Sequence, residues 1–356
     1  MINRLSRAAR FCTIQLSVPL LAGLAVTGLV LGVKELGWLQ QRELDAYDQA
    51  TRLMPTEPAD PRILVVLITT KDIEKYKVPV PDPIINKALQ KLIDGNAAVI
   101  GVDLIKDVTK DDLLKTFKAD NQVIAICSHG GKSEQTIKSP PGMDNEEFLD
   151  KVGFADLPVD PDGVVRRASL LIGGTDPTSG CVAQFSLAEN MANHYLADIH
   201  KKESGLDETS FIYKSGERAI PNLATNFGGY QQAETAGYPI MLKYRRSDKA
   251  FETVTLSDVL DDKVKDVKDR IVLVGADYKI GGGDKDSIRT PYSPNGAEDQ
   301  KMLGVRVHAQ VTSQLISAVL NNRPLIRAWS EPTEGLWLFG WSLLGGELGL
   351  VCAPSR

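Results

Sequence analysis

The chain has 356 residues, a formal net charge of -5 and a pI near 5.6, room for about two average domains or one larger α/β domain with membrane segments. An acidic balance with no local run of basic residues leaves no electrostatic footprint for nucleic acid, which is excluded as an expected partner. Of the four cysteines, Cys12 and Cys352 fall in apolar stretches. Cys127 and Cys181 remain, a pair that bonds in an oxidising compartment if the fold brings their Cα atoms within about 4.4–6.8 Å, and otherwise two buried thiols.

The first element is Phe11 to Val33, which carries no charged side chain. At about 1.5 Å per residue it matches a hydrocarbon core of roughly 30 Å, and the spacing predicts a transmembrane helix. Arg4, Arg7 and Arg10 precede it, so the positive-inside rule keeps residues 1–10 in the cytoplasm and sends the main body across the inner (plasma) membrane, to the periplasmic or extracytoplasmic side. A cleaved export signal is the rival reading. The apolar run exceeds the usual signal core of about 7–15 residues, and no small-x-small triplet comes after it.

Leu36 to Met54 reads as a continuation of that helix, a juxtamembrane connector over 34–59. Pro55, Pro58 and Pro61 then end any helix. The folded domain is expected over 60–322. Arg62–Thr69 is an unbroken apolar run of the kind found in a strand covered on both faces of a parallel sheet. A proline-rich loop, a helical pattern from Ile84 to Gly95 and a second apolar strand, Ala97–Leu104, complete a β-helix-β unit. A short helix over 110–118 and a strand at Gln122–Cys127 come next. This alternation predicts an α/β fold with a doubly wound, mainly parallel sheet.

His129-Gly130-Gly131-Lys132-Ser133 lacks the upstream glycine spacing of a phosphate-binding loop, and Gly281-Gly282-Gly283 lacks the spaced dinucleotide fingerprint. Asp160-Pro161-Asp162-Gly163 is a turn signal. With strand-like flanks over 152–172 it predicts a hairpin insertion, Arg166 and Arg167 either pairing with these aspartates or meeting an anion. The rest of a calcium-loop ligand series is missing there. Further on, a helix is expected over 182–200 and a strand over 240–244. Phe251–Leu260 reads as an extended start running into a short helix capped by Ser257. A buried strand is expected at Arg270–Ala276 and a final amphipathic helix at Gly304–Leu320.

A set of ordered motifs is more specific than any single element. Asp60-Pro61-Arg62 leads into the first strand, and Val99-Ile100-Gly101-Val102-Asp103 forms the second. Gly153-Phe154 precedes the Asp160–Arg167 turn. Asp269–Ala276, Thr290-Pro291, Gly304-Val305 and His308-Ala309 close the series. Over roughly 44–320 this order and spacing resembles the bacterial CHASE sensory domain of the second class, a module associated with cyclases and histidine kinases. The resemblance implies an extracytoplasmic, ligand-sensing receptor domain between membrane segments. The chain departs from that pattern after the sensor: a single further apolar stretch, Gly335–Ala353, stands where several spans and an output domain are usual. Glu347 inside it is costly in lipid unless neutralised or turned toward another helix.

Ligands of open α/β sheets sit beyond the carboxyl ends of the strands. Asp72, Asp103 and Asp277 each come just after a predicted strand, and Asp284, Asp286 and Arg289 lie in the loop after the last one. These residues are the expected site for a polar small molecule or cation, with His308 as a pH-sensitive contact near a pKa of about 6.5. No cofactor, metal cluster or catalytic motif is predicted, so the chain is read as a non-enzymatic sensor acting through a membrane or cytoplasmic signalling partner, with a homodimer an expected arrangement. An extracytoplasmic hydrolase on the same scaffold and a non-sensing membrane scaffold are the alternatives.

Overall fold

The structure is a computed structural model that describes residues 2–104, 111–130, 136–173, 179–207, 210, 212–235, 237–246, 249–278, 286–293 and 300–352. Side chains are described within these from 17 to 349, Asp111 excepted. Lys132, Ser133, Gly281–Gly283 and Asp284 lie outside the described residues, as do the side chains of Cys12 and Cys352. Two compact units are present. One comprises 1–47, 224–234 and 327–356, and the other 48–223 and 235–326.

In the smaller unit, helix α1 (Ile2–Glu35) leads to α2 (Gln40–Leu53), whose second half belongs to the larger unit. The two helices are not continuous as expected. A turn at 36–39 separates them, with Gly37 at a φ of 74° that only glycine adopts readily. Within this unit α1 packs against the last helix of the chain, Glu331–Cys352. Thr27 Oγ1 donates to Ser342 Oγ at 3.4 Å, and Lys34 pairs with Glu334. Among the described residues, one helix is long and apolar enough to cross a membrane, Ser17–Glu35, with a mean hydropathy of 1.7.

The larger unit is built on a six-stranded parallel sheet. Its strands are β1 (Ile63–Thr69), β2 (Val99–Asp103), β3 (Val123–Cys127), β4 (Val152–Phe154), β10 (Glu252–Thr255) and β11 (Ile271–Asp277), in the order β10-β1-β11-β2-β3-β4. Between β1 and β2 come α3 (Thr70–Tyr76) and α4 (Asp82–Asp94), and α5 (Asp111–Ala119) links β2 to β3. Pleating explains the unbroken apolar run of β1. Ile63, Val65 and Leu67 enter one core with α6 (Leu187–His200) and α8 (Gly304–Leu320), while Leu64, Val66 and Ile68 enter a second core with α4, α5 and α7 (Leu256–Leu260). Both faces are dry, so alternation is absent from the sequence.

The motif glycines let helices lie close on this sheet. A Cβ on Gly153 would stand 2.5 Å from the Cα of Leu187, where α6 crosses β4. The Asp60-Pro61-Arg62 motif fixes the entry to β1 by charge. Arg62 donates to Asp60 through Nε and Nη2 at 2.7 Å each, and Ser313 of α8 donates to the same carboxylate at 2.7 Å.

Three expectations change. The Asp160–Gly163 turn is present, with Gly163 N donating to Asp160 O at 2.8 Å, but its flanks do not form a hairpin. β4 joins β3 in the main sheet, whereas β5 (Arg167–Ser169) pairs antiparallel with β9 (Pro239–Met241), so the two sides of the turn serve different sheets. The helix expected over 182–200 begins at Leu187, capped by Ser186, after an extended lead-in. The cap of α7 is Thr255, in a reciprocal capping box with Asp258, and Ser257 is its second residue. An antiparallel meander not anticipated from the sequence, β6 (Ser204–Asp207), β7 (Ile212–Ser215) and β8 (Arg218–Ala219), comes after α6.

Candidate functional site

β2, β3 and β4 end at neighbouring points on one edge of the sheet, and an open cavity of about 1400 Å³ lies at these strand ends. Asp103, Ser128, Asp156, Asp286 and His308 belong to its polar lining, together with Thr136, Lys138, Ser139, Asp144 and Ser287. The rest is largely apolar, with Ile85, Val102, Leu113, Phe117, Ile126 and Leu157 among the lining side chains.

Asp103 is the last residue of β2, and only 8% of it is exposed. Among the described residues, none hydrogen-bonds to its carboxyl group. Burial in this setting pushes its pKa up to about 7, since the charged form loses hydration without gaining a partner. Asp286 precedes β12 (Ser287–Ile288), which pairs antiparallel with β13 (Met302–Leu303) and so brings Asp286 to the start of α8. A Cβ on Gly304, the first residue of α8, would stand 2.8 Å from Asp286 Oδ2, so the carboxylate lies close over the start of the helix. Asp286 is open to solvent on one side and crowded on the other. Burial and the neighbouring Asp103 charge raise its pKa, and His308 opposes them.

His308 lies one turn into α8 and is buried. Burial holds its pKa down at about 4, against the pull of Asp286 and Asp156 and of the hydrogen bond to the Ala155 backbone. The imidazole is therefore neutral at physiological pH. Asp156 differs from the other carboxylates in being fully engaged. Ser128 Oγ donates to it at 2.7 Å, and the amides of His129 and Gly130 at 3.0 Å each, so it shapes the loop after β3.

That wall is tied down by a disulfide between Cys127, at the end of β3, and Cys181, with Cα atoms 5.3 Å apart. Ser128 and Gly180, their immediate neighbours, both line the cavity.

Three of the expected ligand residues, Asp103, Asp286 and His308, thus meet in one cavity, three do not, and Asp284 lies outside the described residues. Asp72 belongs to the first turn of α3, where it closes a capping box with Thr69 and accepts from Ser257 N at 3.0 Å. Asp277 ends β11 but does not line the cavity. Arg289 turns away to the Asp160 turn, its Nη1 donating to Asp162 O at 2.8 Å and its carbonyl accepting from Val165 N at 2.8 Å. Asp156 and Ser128 were not anticipated. The signal for Asp156 was the same one used for Asp103, a carboxylate just past a strand, in this case the short β4.

The Asp160–Arg167 turn forms a buried charge cluster outside the cavity. Arg166 is wholly buried and bonds Asp160 at 2.8 Å, Asp162 at 2.6 Å and Asp48 of α2 at 2.8 Å, while Arg167 bonds Asp160 at 2.7 Å. Burial works against the Arg166 charge, but the bonds to Asp48, Asp162 and Asp160 outweigh it and keep the guanidinium protonated. The arginines meet carboxylates. Among the described residues, no group of three or more His, Cys, Asp or Glu side chains is placed to hold a metal ion.

A family model described as CHASE2 domain matches residues 23–347. Neither a search of curated proteins nor a search of solved structures found a match.

Proposed function

The chain belongs to the CHASE2 domain family, a family of extracytoplasmic sensor domains, and on that premise we propose that it is a membrane-anchored receptor that binds a small molecule in the cavity at the strand ends. The observation that carries this reading is Asp103, a residue only 8% exposed that lines a roughly 1400 Å³ recess and whose carboxyl group takes no hydrogen bond from any described residue. An unpaired buried carboxyl costs several kcal/mol that a donor on a ligand recovers.

The bound state is relayed to α2, the helix that follows the apolar anchor in sequence. Asp286, Ser287 and Ile288 line the cavity, the next residue Arg289 holds Asp162 and Val165, and Arg166 beside Val165 grips Asp48 of α2. A ligand that favours one arrangement of this relay over another biases α2 by its differential affinity for the two. The anchor is Ser17–Glu35, and the exposed leucines at 21, 24 and 29 suit contact with lipid. The arginines at 4, 7 and 10 favour a cytoplasmic amino terminus and a periplasmic sensor. Output then passes to a signalling partner or a second copy of the chain, and no catalysis by this chain is invoked.

A thermal-shift screen of the full chain in detergent micelles, against small metabolites and ions, tests the reading. At least one compound is expected to raise the midpoint by several degrees, and the rise should shrink in Asp103→Asn. A broad panel without a hit would overturn it.

A further inference from the structure

We propose that the cavity is selective for an organic ammonium ion with an apolar body, whose N–H groups bond the carboxylates of Asp103 and Asp286. The inference rests on the receptor reading above and adds the ligand's chemical class.

Among the described residues that line the cavity, acceptors predominate and the one Lys or Arg, Lys138, is exposed. Asp103 and Asp286 offer carboxylate oxygens to which no described residue donates a hydrogen bond. Asp156 is occupied by Ser128 and two amides. His308, on the helix opposite, stays neutral and adds no positive charge. Among the described residues, Asp144 and the exposed Lys138 also line the space. An anionic ligand would bring like charge to two crowded carboxylates. An ammonium donates to both and offsets the charge that Asp103 gains on releasing its proton.

The remaining lining explains the apolar body. Ile85, Leu113 and Phe117 on one side and Ile126 and Leu157 on the other present hydrocarbon to the space. A small inorganic cation would leave most of that volume and apolar surface uncovered, and the described residues provide no metal-ligand cluster. An amine joined to a ring or alkyl chain fills both parts.

Proton linkage gives this ligand class a signature. Asp103 binds a proton up to about pH 7 and must release it to receive an ammonium, so affinity should tighten as pH rises from about 6 to about 8. A ligand that only donates through hydroxyl groups to the neutral acid would show no such rise.

The test uses three probes of nearly one shape, benzylamine, benzyl alcohol and benzoate, titrated by calorimetry into the full chain in micelles. Benzylamine is expected to bind at least about tenfold tighter than either analogue, to gain affinity with pH over that window, and to lose at least about tenfold in Asp103→Asn. If that variant does not fold, the charge series and the pH series on the parent protein decide alone. Equal or tighter binding of benzyl alcohol or benzoate, or a benzylamine affinity that does not change with pH, would overturn the proposal. If none of the three binds while the metabolite screen finds another ligand, the ammonium class falls and the receptor reading stands. If neither finds a ligand, both fall.

Discussion

Arg166 and Asp48 are joined by two parallel hydrogen bonds, Nε to Oδ1 and Nη2 to Oδ2, each 2.8 Å, across 118 residues of sequence and with both side chains buried. The pair fastens α2, the helix next in sequence after the apolar anchor, to the turn beyond β4. Its removal should be expensive because three carboxylates share one guanidinium. Arg166→Met is expected to destabilise the fold by about 3–5 kcal/mol and Asp48→Asn by about 1–3 kcal/mol, read as shifts of the urea midpoint. A loss under about 1 kcal/mol for Arg166→Met would mean that the cluster does not hold α2 in place.

Asp103 predicts a pH dependence with a definite sign. Its folded pKa, about 7, lies above the ordinary value of 3.8, so the native state binds this proton more tightly than the unfolded chain. The stability it contributes is complete below about pH 4 and is lost as pH rises through about 7. Asn cannot titrate. The Asp103→Asn variant should therefore match the parent near pH 4 and exceed it near pH 8, by up to about 4 kcal/mol at about 1.4 kcal/mol per tenfold change in proton affinity. Thermal unfolding of both proteins across that range checks it, and a difference that stays constant with pH would contradict the burial of an unpaired carboxyl group. Glu189, buried and raised to about 7, falls in the same window, whereas His308, lowered to about 4, acts in the opposite sense. Subtracting variant from parent isolates Asp103.

The Cys127–Cys181 bond closes 54 residues of chain. In the chain-entropy account a loop of that length confers about 4 kcal/mol. Replacing both cysteines by serine should lower the urea midpoint accordingly. Because Ser128 and Gly180 line the cavity, it should also weaken any ligand found for it. Unchanged affinity in a folded double variant would separate the bond from the site.

Gly153 lies against the backbone of α6, with no room for a methyl group. Gly153→Ala is expected to destabilise by about 1–3 kcal/mol through displacement of α6. A neutral effect on the thermal midpoint would show that the helix can yield.

The parallel sheet was legible in the sequence because both its faces are buried, so that Ile63–Thr69, Val123–Cys127 and Ile271–Asp277 read as unbroken apolar runs. The meander at Ser204–Ala219 escaped notice because its strands are short and only half buried, leaving little periodicity to see. The Asp160 turn was plain from Pro161 and Gly163, but a turn does not say which sheets its flanks join. In the site, carboxylates after strands were a sound signal with limited resolution. It found Asp103 and passed over Asp156, and it gave equal weight to Asp72 and Asp277, whose places depend on local capping and on which strand ends border the cavity. Arg289 and Asp48 were beyond reach, since their partners are fixed by tertiary packing alone.

A recess at the ends of β2, β3 and β4 that binds a ligand and is joined to α2 should respond at both places at once. Amide hydrogen exchange of the full chain in micelles, with and without the strongest ligand from the thermal-shift screen, tests this most directly. Slower exchange is predicted at 102–104, 128–130, 155–157 and 286–289, together with a change in α2 between Asp48 and Leu53. Slowing confined to the meander at 204–219 or to α1, with the strand ends unaltered, would contradict it.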